Sequence, residues 1–501
     1  MPISTAVDPS AVARVLGIKE QYVDLRGGAV VYLPQRVAVF GQGSSSVTYS
    51  TTKYQPAGHV EVAEKYGWGS PLHLMVKELL PDNGDGVGLN PVTVYPLAEP
   101  GTSAPATIDV APTGTATANG TFRPYINDIP GESFVIRKGE APATYAPNIA
   151  AAINANTSLP VTAAEAAAVV TCTSKWEADT ANGINIRFDG PTDIGVDLTS
   201  TVITHNNDGA GTPDVTAAIA QIGNVWESML INSNLYTDTT TLDEFETFGV
   251  GRWGPVTKKP LMVFTGATEA TRATMVAAGD ARRTDRVNSI LNAPGSDGLP
   301  FMFAARCVAR AAKLAGSNPP FDYARQKIDT IEPGTDAEQW DGTSREIAVK
   351  AGISTITVED GVIYMSDTVT TYHPSGVENP PYRYVVDIVK LQNAIFNLNL
   401  LLDVPKYDGA PLIPDDEFAP ENPSAIKPKD IKGVVYGWVD GLADAAIVVD
   451  RDWIKDTVVC QISSTNPKRC DVSVTLKLVG NSNIISVDLN WGFYFGGAVA
   501  A

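Results

Sequence analysis

Between residues 30 and 97 the chain runs strand, helix, strand, and that order commits it to a mixed α/β sheet. The run Val30 to Phe40 has strand character, with Pro34 marking an edge position or a break into two pieces. A helix start follows, with Ser70 as N-cap and Pro71 at the first helical position. Leu72, Met75, Val76, Leu79 and Leu80 recur at helical spacing and fall on one buried face, and Pro81 ends the run. Pro91 to Leu97 then reads as the second strand. A chain of 501 residues has room for several such units.

Composition shifts along the chain set the expected organisation. Residues 1–30 form an irregular N-terminal arm in which Val15, Ile18, Tyr22, Val23 and Leu25 are apolar among polar neighbours. Residues 31–98 are the first part of a core. Residues 99–215 turn to Ala, Thr, Gly, Pro and Asn with closely spaced strand and turn signals, the pattern of an inserted β-rich outer domain. Strands are expected at Thr107 to Val110, Ser133 to Arg137, Ala168 to Thr173 and Ile184 to Phe188, with one helix over Tyr145 to Asn154.

The core's second part spans 216–404. Helices are expected around Val215 to Ile231, Leu242 to Phe248, Glu269 to Arg282, Phe301 to Leu314 and Arg383 to Leu402, with a strand over Pro260 to Thr265. Between them Gly352 to Ser375 reads as two short strands about Glu359-Asp360-Gly361, a tight hairpin with no catalytic apparatus. A Pro-rich linker covers 405–428. The C-terminal region, 429–501, opens with a helix from Lys429 to Ala445. Strands are expected over Thr457 to Ser463, Cys470 to Leu478 and Asn483 to Phe495. The fold class is therefore α/β (α+β), multidomain, with extended arms at both ends.

Function classes narrow by exclusion. A formal charge of −19 argues against direct nucleic-acid binding, which needs a basic surface. The four cysteines, Cys172, Cys307, Cys460 and Cys470, have no CxxC spacing and read as reduced thiols. The N-terminus lacks a secretory signal pattern, and no apolar run reaches a membrane span, so assembly in a cytoplasm without membrane insertion is expected. Gly249-Val-Gly251-Arg-Trp-Gly254 matches GxGxxG, yet helical sequence precedes it and Pro255 follows, the reverse of a dinucleotide site. Phe40-Gly-Gln-Gly-Ser lacks the third glycine. His59, His73, His205 and His373 stand in separate segments without metal-ligand spacing and are expected to be exposed or singly hydrogen-bonded. No catalytic, metal or cofactor residue is assigned.

The termini carry the stronger signal. Val487, Leu489, Trp491 and Phe493 alternate with small or polar residues near the end of the chain. Such a strand, left unpaired, exposes backbone groups and aromatics, so it must pair within its own sheet or also receive a strand from a neighbouring copy.

Several motifs in order are similar to those of one family. Arg36-Val-Ala-Val-Phe-Gly-Gln-Gly, Tyr66-Gly-Trp-Gly-Ser-Pro-Leu-His-Leu-Met, Arg252-Trp-Gly-Pro, Gly352-Ile-Ser-Thr, Asp360-Gly, Thr370-Thr-Tyr and Asn466-Pro-Lys-Arg together resemble the contractile tail sheath proteins of Mu-like bacteriophages. Coverage is nearly full length and weakest in 99–215. The chain carries Tyr364-Met-Ser-Asp where related sheaths often have an acidic-arginine pair.

The resemblance implies a non-enzymatic virion subunit that stacks as six-subunit rings around a tail tube and contracts to drive it through the host envelope. Its implied partners are further copies of itself, the tail tube protein, and baseplate and tail terminator proteins. Val15, Ile18, Tyr22 and Val23 would then belong to a donated arm. Val487, Leu489, Trp491 and Phe493 would belong to the receiving sheet or a second arm. Two alternatives stand beside this: another self-assembling tail or baseplate component, and a nucleotide-binding oxidoreductase built on the glycine matches.

Overall fold

A computed structural model of the chain describes residues 30–378, 380–417, 422–482, 487–489 and 491. At its centre lies a six-stranded, wholly parallel sheet. Its strands, in spatial order, are Ile353–Ser354, Asn288–Asn292, Met262–Ala267, Met229–Asn232, Val37–Gln42 and Val92–Leu97. The direction of winding reverses once, between Val37–Gln42 and Met229–Asn232, as in doubly wound α/β sheets.

Alternation along these strands assigns the two faces. Val37, Val39, Met229, Ile231, Met262 and Phe264 meet Leu72, Met75, Val76 and Leu79 of helix Pro71–Leu79 and the alanine-rich face of helix Pro300–Ser317. Gly266 permits the close approach of that second helix, since a Cβ there would stand 1.8 Å from the Pro300 carbonyl oxygen. Ala38, Phe40, Leu230 and Val263 face the other way, where Phe40 stacks on Tyr95 at 4.9 Å and meets Phe245 edge-on at 5.2 Å. The helix N-cap expected at Ser70 is present, with its hydroxyl accepting from the His73 amide.

Several expectations change. Met229–Asn232 is a central strand, whereas the sequence reading ran a helix through it; only Thr216–Ala220 of that stretch is helical. A four-residue, fully buried strand has no polar face to reveal its period. Asn288–Asn292 is a further strand in what read as a connection, and His59–Tyr66 is an additional helix. The first strand begins at Val37, beyond Pro34, and is internal to the sheet.

Residues 105–207 form two four-stranded antiparallel sheets and the helix Pro142–Ala155. Their core is continuous with the central one, for Trp176 packs edge-on against Phe301 at 6.0 Å. The hairpin Ile356–Glu359 with Val362–Met365 turns at Asp360 and Gly361, both at positive φ. Gly352, at φ +78°, lies against Thr371, whose Cα would be 2.7 Å from an added Cβ.

Helix Val385–Leu402 crosses from the central body to a C-terminal cluster built on helix Pro428–Asp444 and the two-stranded sheet Val459–Ile462 with Cys470–Ser473. By length and composition this crossing helix could span a membrane, contrary to the sequence reading. Its buried polar residues have structural work in the chain itself, described below.

Candidate functional site

The crevice at the winding reversal, where doubly wound sheets take their ligands, is filled by the chain itself. Gln42 Nε2 donates to Glu99 Oε2 at 2.7 Å and to the Glu177 carbonyl at 3.3 Å, and the Ser45 amide donates to the Lys175 carbonyl at 2.8 Å. The segment around Lys175–Glu177 thus plugs the mouth. Gly249 and Gly251 lie in the last turn of helix Thr239–Arg252, so this end offers carbonyls where a phosphate needs amides. Gly249 is also closed off, with Val287 side-chain carbon 2.5 Å from where its Cβ would be.

Histidine placement corrects an expectation. His59 and His73 are both buried and lie together, with His59 Nδ1 3.4 Å from His73 Nε2 and His59 Nε2 3.1 Å from Asp82 Oδ1. The Gly69 amide donates to His73 Nδ1 at 2.9 Å. Burial, reinforced by His59, drives the His73 imidazole down to about 3, so that ring is neutral at ordinary pH. Among the described residues no group of three His, Cys, Asp or Glu side chains could hold a metal ion.

The segments at residues 31–33 and 479–481 converge on one stripe of helix Val385–Leu402. Near the start, the Val31 amide donates to Asn397 Oδ1 and Asn397 Nδ2 donates back to the Val31 carbonyl, both at 2.9 Å. The Leu33 amide donates to Asn393 Oδ1 at 2.8 Å. The fit is metric. Four helical residues rise about 6 Å, and two extended residues advance about 6.6 Å, so asparagines four apart match residues 31 and 33.

Near the far end, the fully buried Lys390 Nζ donates to Asp387 Oδ1 at 2.8 Å and to the Val479 carbonyl and Asn481 Oδ1, each at 2.6 Å. Lys390, Asn393 and Asn397 follow an i, i+3, i+7 spacing, which puts them on one face. Gln392 Nε2 ties the same helix to the Pro260 carbonyl at 3.0 Å, just before the strand Met262–Ala267. The sequence reading used only the apolar positions of this helix. A row of amides and one lysine at helical spacing, inside an apolar run, was the available signal.

Beside this anchorage stands the sheet Val459–Ile462 with Cys470–Ser473. The two strands pair with each other, and among the described residues no third strand joins them. Val459 and Val472 are 52% and 38% exposed. Cys460 and Cys470 are free and half-buried, their thiols pushed up by burial.

Of the expected contact residues, Val487, Leu489 and Trp491 are largely exposed, and Val487 to Leu489 are not in a strand. Val15, Ile18, Tyr22, Val23 and Phe493 lie outside the described residues.

No family model matches the chain. A curated relative does: the chain is 26% identical over 439 residues, 85% of its length and 86% of the other's, to the Mu-like prophage FluMu tail sheath protein of Haemophilus influenzae. Among solved structures it is similar to a sheath tail protein from Listeria innocua, at 13% identity and a TM-score of 0.49 over 91% of this chain and 94% of that one. It is also similar to one from Desulfitobacterium hafniense, at 12% identity and a TM-score of 0.45 over 92% and 100%. These structural likenesses are loose, and the weight rests on the curated relative together with the ordered motifs. On those two grounds the chain is a homologue of the tail sheath proteins of Mu-like phages.

Proposed function

We infer that the chain is the structural subunit of a contractile phage tail sheath, polymerised as stacked six-subunit rings around a tail tube. The curated relative supports the sheath assignment. The observation that carries the assembly mode is the anchorage: residues 31–33 and 479–481 are held on one helix, next to a two-stranded sheet that no third strand joins among the described residues.

A four-residue edge presents about four outward backbone groups, so one added strand contributes about 2–6 kcal/mol at about 0.5–1.5 per hydrogen bond. Arms donated in this way, with Val15, Ile18, Tyr22 and Val23 on one and Val487, Leu489, Trp491 and Phe493 on the other or in the receiving sheet, tether rings while rigid bodies rotate between two packings. The sheath does its work by repacking and needs neither cofactor nor nucleotide hydrolysis. Residues 99–215 form the outward insertion, and the α/β body with the region from 429 onward lies towards the tube. Tail tube, baseplate and terminator proteins are its partners in the virion, after assembly in the host cytoplasm.

Negative-stain imaging of the purified chain tests the proposal. Wide helical tubes are expected, and deletion of residues 1–25 should leave a folded subunit that forms none. Normal polymers from the truncated chain would refute the arm role, and smooth narrow tubes from the intact chain would identify a tube-type component instead.

A further inference from the structure

We propose that Lys390 and Asn481 join in an intramolecular isopeptide bond, with Asp387 carrying the protons. The inference stands apart from the sheath reading, because it rests on one cluster of three side chains.

Lys390 is fully buried, which is costly for an ammonium group. Its Nζ has a carboxylate on one side, Asp387 Oδ1 at 2.8 Å, and a carboxamide on another, Asn481 Oδ1 at 2.6 Å. The amide's orientation is fixed from behind, where Asn481 Nδ2 donates to the Pro320 carbonyl at 2.7 Å. Its carbonyl therefore faces the amine and its nitrogen faces away. With a C=O length of about 1.23 Å, Asn481 Cγ lies within about 3.8 Å of Nζ. A small side-chain rotation reaches the roughly 3–3.5 Å separation of a near-attack arrangement, at the high effective concentration that fixed geometry confers.

The three groups supply a nucleophile, an acyl carbon and a proton carrier. Asp387 takes a proton from the Lys390 ammonium, and the neutral amine attacks Asn481 Cγ. Asp387 gives that proton to Asn481 Oδ1, which faces the same amine, and removes a second from Nζ, while the Oδ1 proton reaches Nδ2 on the far side through solvent in the adjoining cavity. The Cγ–Nδ2 bond breaks as the Cγ–Nζ amide forms, and ammonia leaves with the proton still on Asp387, as ammonium. No electrons change hands and no co-reactant is needed. The departing molecule has an exit, since Asn481 and Pro320 line a cavity of about 670 Å³ shared with Asp322, Asp367 and Val479. The product replaces a buried cation with a neutral amide.

Mass spectrometry of the purified full chain decides. The expected result is an intact mass short by one ammonia and, after trypsin, a branched peptide joining residues 384–406 to 478–501, uncut at Lys390. Asp387→Asn should restore the full mass and the two separate peptides. Cleavage at Lys390 with both linear peptides recovered from the wild type would overturn the proposal. So would an ammonia loss that maps to an Asn-Gly sequence such as Asn83-Gly84 with no branched peptide. A branched peptide persisting undiminished in Asp387→Asn would overturn the role given to the carboxylate.

Discussion

Replacing Asn397 by alanine isolates the anchorage of the chain's entry point. The side chain is 5% exposed and makes two reciprocal hydrogen bonds to the backbone of Val31 at 2.9 Å. It also donates to the Asn393 carbonyl at 2.8 Å within its own helix, a bond whose loss is compensated locally by the helix ladder. At about 1 kcal/mol for each of the two bonds to Val31, the local opening free energy falls by about 2 kcal/mol. A tenfold change in an equilibrium corresponds to about 1.4 kcal/mol. Amide hydrogen exchange at residues 30–33 should therefore quicken about 30-fold, while amides of the central strands Val37–Gln42 and Met262–Ala267 keep their protection. Peptide-resolved exchange measured by mass spectrometry reads both at once. Unchanged exchange at Val31, or a uniform loss of protection across the central sheet, would refute the idea that this asparagine acts as a local clamp.

Other outcomes follow from the same geometry. Glu99 sits where the chain leaves the central sheet, and burial, with Glu177 nearby, pushes its carboxyl from 4.5 up to about 7. The folded state thus holds this proton more tightly than the unfolded chain. Its stabilisation is complete below pH 4.5 and is lost as pH rises through 7. Glu99 is only half-buried, so solvent screening cuts the loss to about 1–2 kcal/mol. Glu99→Gln should flatten that part of the melting-temperature profile between pH 5 and 8, and an unaltered difference from wild type across this range would exclude it. Phe40→Ala removes a ring packed between Tyr95 and Phe245 and should cost about 3–5 kcal/mol in urea unfolding; a cost below about 1 kcal/mol would mean that this face of the sheet is not packed as described. Gly352→Ala places a Cβ against Thr371 at positive φ and should lower the melting temperature, whereas an unchanged or raised value would contradict the close approach.

Much of the α/β body was legible because its signals are local. The Ser70 cap, Pro71 and the apolar spacing of Leu72 to Leu79 need nothing from the rest of the chain, and the Asp360-Gly361 turn declares its own positive φ. Met229–Asn232 was misread because a short buried strand carries no alternation. Asn288–Asn292 was missed because its polar side chains, unusual for a central strand, are satisfied from outside it: Asn288 Nδ2 by the Leu242 carbonyl and Asp285, the Ser289 hydroxyl by the Val369 carbonyl. Helix His59–Tyr66 starts at Gly58 with no side-chain cap to announce it. The anchorage was the least visible part. Asn393 and Asn397 find their partners 360 and 366 residues away, at separations that no local spacing encodes.

That anchorage has a mechanical corollary. Val31 and Asn481 are gripped seven residues apart on one rod, about 10 Å along its axis. Opposed pulls applied at these two grips act across that short span of helix. A pull on both grips in a common direction loads instead the bond from Gln392 to the lip of the sheet at Pro260.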